Sequence, residues 1–175
     1  WKMNTHNFGW YKGDTVNMGV GQGYINATPL QLAYYSAFLA TKGRLNNFSF
    51  VQDSKDHKKD TFISENINLN DWAKIHESMV GVIENPKGTA GRLRALKDYI
   101  VAAKSGTVEL VSTETKEDYQ IIREIEGQRD HAIIIAFGPI PNPEYAVSVV
   151  IENGESGGSV AGPVAIAVLN SLIKE

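Results

Sequence analysis

The residues of this sequence best suited to chemistry lie in one stretch, Tyr99-Ile-Val-Ala-Ala-Lys104-Ser105-Gly106-Thr107-Val-Glu109. There an apolar run ends in a cation, a hydroxyl, a glycine and a second hydroxyl. The run Tyr99–Ala103 carries β-forming residues and no breaker, which predicts a buried strand. Lys104 then falls where the core ends. Gly106 takes away a side chain that would block anything lying along the strand. A cation and two hydroxyls around that gap suit the anionic end of a peptide. The same residues also read as an ordinary strand-to-turn transition, because a Lys-Ser-Gly triplet often arises by chance. Residue types alone leave both readings open.

The elements around this stretch must hold it in place. Trp1–Lys12 reads as an irregular lead-in, and Gly13–Tyr24 as a loop with four glycines. Thr28-Pro29-Leu30-Gln31 predicts a helix start, with Thr as cap, Pro at the first helical position and Gln three residues after the cap. Leu30, Ala33, Tyr34, Ala37 and Phe38 follow on one face, and Gly43 is placed to stop the helix. Asn46–Asn68 is polar and loop-like. Asn70 is the expected cap of a second helix with Trp72, Ile75, Met79, Val80 and Ile83 on its apolar face. Asn85-Pro86-Lys87-Gly88 ends that helix, and Gly88-Thr89-Ala90-Gly91 forms a small-residue loop. Glu109–Asp130 is charged and weakly patterned, a protruding or mobile connection. His131–Phe137 and Tyr145–Ile151 predict two further strands, joined through Pro139-Ile-Pro-Asn-Pro143. Val160–Ile173 predicts a closing helix that tolerates Pro163 in its first turn. Three strands on short connections, with helices over them, give an α+β fold built on an antiparallel sheet.

Composition excludes several function classes. The chain has 175 residues, 42% of them hydrophobic and 21% charged, as a globular domain or part of one would. A net charge of −3 argues against nucleic-acid binding, and the basic residues Lys55–Lys59 are interleaved with aspartates as in a solvated loop. Without cysteine there are no disulfides or thiolate metal sites. His6, His57, His76 and His131 are scattered, with no pair at metal spacing, and His131 reads as a structural residue. No apolar stretch approaches the ~18 residues of a membrane span. The sequence begins at Trp1 in mid-pattern and reads as a piece of something longer. Several motif matches read as coincidences. Gly19-Val-Gly21-Gln-Gly23 lacks the preceding strand of a dinucleotide site. Ala103-Lys104-Ser105 lacks the glycine of a phosphate loop. Ser171-Leu-Ile-Lys174 and Ser64-Glu65-Asn66 match Ser-x-x-Lys and Ser-x-Asn outside any suitable context.

Taken in order, Gly13-Asp14-Thr15, Gly21-Gln22-Gly23-Tyr24, Ala27-Thr28-Pro29-Leu30-Gln31-Leu32-Ala33, Gly88-Thr89-Ala90, Ala103-Lys104-Ser105-Gly106-Thr107 and Phe137-Gly138-Pro139 resemble a class B penicillin-binding protein. Trp10-Tyr11-Lys12-Gly13-Asp14-Thr15 is most similar to the elongation-type group, penicillin-binding protein 2. The likeness runs from about Trp10 to the last residues. Ser105 stands where threonine is commoner, and Ala103 where many members have glycine. A larger departure is that the family's Ser-x-x-Lys and Ser-x-Asn motifs are not found before Gly13. The expectation is that residues 1–175 form the C-terminal part of one transpeptidase domain, with the nucleophilic serine, its lysine and the middle serine supplied by an upstream segment.

The resemblance implies a peptidoglycan D,D-transpeptidase, in which a serine attacks the penultimate D-Ala carbonyl, D-Ala leaves, and an amine of a neighbouring stem peptide resolves the acyl-enzyme. Lys104 would raise the positive potential beside the upstream motifs and hydrogen-bond the middle serine. Ser105 and Thr107 would hold the terminal carboxylate of the substrate or of a β-lactam. Gly106 would keep the strand open to a substrate added beside it. The Thr107 N–H would form the oxyanion hole with that of the nucleophile, a donor whose loss costs ~10²–10³ in rate. Asp14 and Gly19–Tyr24 would brace the site floor. No cofactor is implied. Implied partners are peptidoglycan stem peptides, β-lactam antibiotics, the upstream part of the same domain, and the scaffold and glycan-polymerising membrane enzyme of cell-wall elongation. The implied location is the periplasm, with an anchor in the inner membrane. The alternative is a non-catalytic penicillin-binding-like sensor or scaffold, with Glu109–Asp130 as its interaction surface. A β-lactamase is disfavoured by Thr28–Ala33.

Overall fold

The computed structural model describes residues 2–45, 62–63, 67–111, 115–125 and 127–173. In chain order these form α1 (Lys2–His6), α2 (Lys12–Gly19), α3 (Pro29–Ala40), β1 (Arg44–Leu45), β2 (Phe62–Ile63), α4 (Leu69–Glu84), a 3₁₀ turn (Gly91–Leu96), β3 (Ala102–Val108), α5 (Lys116–Glu124), β4 (His131–Gly138), β5 (Tyr145–Ile151), a π turn (Gly157–Ala161) and α6 (Gly162–Ile173). The basic run Lys55–Lys59, Ser64-Glu65-Asn66 and Lys174 lie outside the described residues. None of the described helices is long and apolar enough to cross a membrane.

The apolar run of β4 makes it the central strand. It pairs antiparallel with β3 on one side, Ser105 opposite Ile134, and with β5 on the other, Ser148 opposite Ile135. Alternation along the strands then fixes two buried faces. Val101, Ala103, Ile134 and Ala136 pack with Ile83, Leu93, Ile166 and Leu169, under α6 and the 3₁₀ turn. Ala102, Ile135 and Phe137 pack with Leu39, Trp72 and Met79, under α3 and α4. Helices cover both faces of an antiparallel sheet, the α+β architecture the sequence predicts. A buried hydroxyl adds a specific tie: Ser36 of α3 donates to the Ala136 carbonyl at 3.0 Å.

Helix ends follow local chemistry. Thr28 Oγ1 accepts the Gln31 N–H at 3.2 Å, and Gln31 Oε1 accepts the Thr28 N–H at 2.8 Å, closing the expected capping box. For α4 the cap is Asn68, which accepts the Asp71 N–H at 3.0 Å, and not the Asn70 that the sequence suggested. Glycine-rich Gly13–Tyr24 is not all loop, since Lys12–Gly19 is helical. The reason lies in Asp14, which accepts the Tyr11 N–H at 2.7 Å and pairs with Lys2 of α1. These two contacts hold the Asp14 carboxyl below its usual range. The Lys2 ammonium also sits 4.5 to 5.8 Å from the ring centres of Tyr24, Tyr11, Phe8 and Trp10, so the lead-in is organised around one cation.

Candidate active site

The lysine-hydroxyl stretch lies inside strand β3, not beyond its end. Sequence reading places the strand at Tyr99–Ala103, whereas the observed span is Ala102–Val108. Register explains the shift: the β4 run from His131 to Phe137 pairs residue for residue with Val108 back to Ala102. Tyr99 and Ile100 instead lead into the strand. There Lys97 bridges Glu84 at 2.5 Å and the Tyr99 carbonyl at 2.7 Å. The Tyr99 hydroxyl donates to Asn170 of α6 at 2.8 Å, and burial raises its pKa.

Alternation sends Lys104 and Gly106 toward the α3–α4 side, and Ser105 and Thr107 toward the α6 side. In the order β3-β4-β5, β3 keeps one edge without a neighbouring strand among the described residues. Lys104 is exposed. Its Nζ donates to the Ser105 carbonyl at 2.5 Å, and it opens on a groove of about 600 Å³ shared with Glu77, Ser78, Asn85, Lys87 and Thr89. At Gly106 a Cβ would meet Ile133 Cβ at an ordinary 3.7 Å. The chain itself does not forbid a side chain there, so a need for glycine would come from a molecule lying over the strand.

Two loops complete the hydroxyl side. Gly88 folds back on the end of α4 so closely that a Cβ would lie 2.3 Å from the Val82 carbonyl oxygen. This brings Thr89 Oγ1 to 3.1 Å from Ser105 Oγ. Beneath β3 runs the π turn. A Cβ on Gly157 would lie 2.2 Å from the Ile133 oxygen and 2.6 Å from that of Gly106, and one on Gly158 2.7 Å from the Thr89 oxygen. The two glycines thus form a floor under Gly106, which lies between the two hydroxyl carriers, and under Thr89. Thr107 Oγ1 donates to the Glu155 carbonyl at 3.3 Å, and Gln22 reaches the Thr107 carbonyl at 3.5 Å, the outer limit of a hydrogen bond. His131 accepts the Asn153 N–H on Nδ1 at 3.0 Å, as a structural histidine would.

Lys104, Ser105, Gly106 and Thr107 are therefore adjacent on one accessible strand. Sequence reading did not assign a role to Thr89, Gly157 or Glu155. The Gly157-Gly158 pair was the available signal, since adjacent glycines mark close backbone approach. Chemically the arrangement offers a cation in a groove and two hydroxyls at a free strand edge. A model of the penicillin binding protein transpeptidase domain matches residues 2–170. The chain belongs to this family.

Among curated relatives of this penicillin-binding transpeptidase chain, the peptidoglycan D,D-transpeptidase MrdA of Escherichia coli K12 is 33% identical over 167 residues, covering 91% of this chain and 26% of the relative. The crystal structure of Pseudomonas aeruginosa PBP2 in complex with WCK 5153 is 32% identical with a TM-score of 0.77, covering 100% of this chain and 37% of that one. The complex between PBP2 and MreC from Helicobacter pylori matches at 28% identity and a TM-score of 0.74, over 99% of this chain and 30% of that one. The fold is thus the penicillin-binding transpeptidase fold, present in part, and similar to that of PBP2, the elongation-type group that the sequence resembles. The chain spans about a quarter of the length of the curated relatives it matches.

Proposed function

We propose that these residues are the C-terminal part of a D,D-transpeptidase domain that cross-links peptidoglycan stem peptides through a serine acyl-enzyme. The observation that carries this reading is the run Lys104-Ser105-Gly106-Thr107 along an accessible strand edge, in a chain of the penicillin-binding transpeptidase family. The serine nucleophile, its lysine and the middle serine come from a segment outside residues 1–175. Lys104 faces the groove, where its charge raises the local positive potential and its ammonium hydrogen-bonds the middle serine. Ser105 and Thr107 donate to the terminal carboxylate of the stem peptide or of a β-lactam in its place. Either hydroxyl of the Thr89–Ser105 pair can donate, and when Thr89 does so the Ser105 proton is free for that anion. Gly106 leaves room for the substrate backbone along β3. The Thr107 N–H joins that of the nucleophile in stabilising the oxyanion.

Likeness to MrdA, a peptidoglycan D,D-transpeptidase, supports the reaction, and the Helicobacter pylori complex with MreC supports a scaffold partner of the same kind. A membrane glycan polymerase would be a second partner. Work on periplasmic cell wall from an inner-membrane anchor follows from the same reading. The test is labelling of the full-length protein by a fluorescent penicillin. The intact protein should label, the isolated 175 residues should not, and Lys104→Ala in the intact protein should remove labelling while leaving its melting unchanged. A folded full-length protein that stays unlabelled would instead mark a non-catalytic sensor or scaffold.

A further inference from the structure

A polar cluster outside the groove joins α5 to the turn after β5. Glu155 lies at its centre with φ at 61°, a left-handed backbone that residues bearing a Cβ avoid. Three ties hold it there. Its N–H donates to the Asp130 carbonyl at 2.8 Å, its carbonyl accepts the Thr107 hydroxyl, and its carboxylate takes Arg123 Nε at 2.5 Å and Nη2 at 3.2 Å. Arg123 is itself fixed. Its carbonyl accepts Arg129 Nε at 2.7 Å and its guanidinium lies 5.7 Å from the Tyr119 ring centre. Tyr119 in turn donates to the buried Asp130 at 2.6 Å. The ring of contacts closes on Asp130, and the Glu155 carbonyl links it to the site.

We propose that the Arg123–Glu155 pair positions Thr107 for the substrate's carboxylate. This rests on the reading of Thr107 as a carboxylate donor. A threonine side chain has three staggered χ1 positions, and the pinned carbonyl of Glu155 selects the one that keeps Oγ1 at its side. The hydroxyl hydrogen rotates about Cβ–Oγ1 without moving the oxygen. At 3.3 Å the bond to Glu155 is long, so its proton turns readily to an incoming anion. The anion then meets an oxygen already in place, and binding does not have to order it. A half-exposed ion pair adds little to stability. Two parallel hydrogen bonds nevertheless define geometry, and geometry is what Thr107 receives. Arg123 and Glu155 are positioning residues: neither touches the substrate.

The test uses the full-length protein and two acylating probes, penicillin G and its methyl ester, which lacks the carboxylate. The ratio of the two acylation rates reads carboxylate recognition alone, and an unfolded fraction cancels from it. Thr107→Val should lower the ratio about tenfold, the worth of one hydrogen bond to a charged group. Arg123→Met and Glu155→Gly, the latter keeping the left-handed turn, should each lower it about threefold to tenfold, and Arg123→Lys should restore part of the loss. Arg123→Met on top of Thr107→Val should lower it no further, because the pair acts through that hydroxyl. A wild-type ratio in both Arg123→Met and Glu155→Gly, with a lowered one in Thr107→Val, overturns the positioning role and leaves the carboxylate reading standing. An additive double variant also overturns the positioning role. An unchanged ratio in Thr107→Val overturns the carboxylate reading, and the positioning role with it.

Discussion

The two halves of one stretch of backbone, Val101–Ala103 and Lys104–Thr107, live in opposite surroundings. The first three residues are fully buried, their side chains divided between the two cores. The next four are exposed or half-buried on an edge with no strand beside it among the described residues. The strand is thus anchored at one end and offered at the other. Substitutions in its surroundings should separate accordingly, some costing stability and others costing only chemistry.

The largest effect expected is Phe137→Ala. Phe137 sits opposite Ala102 and is fully buried, so its loss should cost about 3–5 kcal/mol by denaturant unfolding, mostly as lost burial and cavity. Acylation by the folded fraction should be unchanged. Gly106→Ala should do the reverse. The added methyl fits its own chain, so the unfolding midpoint should move little, while displacement of the substrate backbone should slow acylation about a hundredfold. Similar acylation rates would show that nothing lies over Gly106. Gly157→Ala should break the separation. It is a buried residue whose methyl would press on the Ile133 and Gly106 backbones, so stability should fall by about 1–3 kcal/mol and acylation with it. Thr28→Ala, remote from β3, should cost about 1 kcal/mol by removing the α3 cap, with acylation intact. Acid should have the smallest effect. Arg123 holds the Glu155 carboxyl below its unfolded value near 4.5. The contribution of that pair is therefore present above about pH 4.5 and is lost as pH falls through the lower folded value. Unfolding of Glu155→Gln should show a shallower decline over that acid range.

Much of the frame was legible because local signals and tertiary structure agree. Thr28-Pro29 and Gln31 cap a helix in any context that leaves them free to do so, and the β4 run has too many β-branched residues for much else. The family motifs singled out Lys104, Ser105, Gly106 and Thr107, which the structure places side by side on β3. What was missed depends on partners far along the chain. The exact span of β3 is set by its pairing with β4, and α2 by a lysine on α1. A charged segment at 116–124 shows helical character once Thr115 is seen to cap it, accepting the Asp118 N–H at 3.1 Å. Even then its link to the site runs through Glu155, a contact across 32 positions that no local pattern announces.

The glycine floor has a consequence in time. Gly157 lies fifty-one positions after Gly106, so a ribosome adding about 5–20 residues each second delivers the lysine strand roughly 3–10 s before its support. Until the π turn and α6 arrive, Ile83 and Leu93 cover that face of β3 and β4 only in part, and the apolar surface left over is open to capture by neighbouring nascent chains. The strand that carries Lys104 and Thr107 is therefore also a passing hazard of its own synthesis.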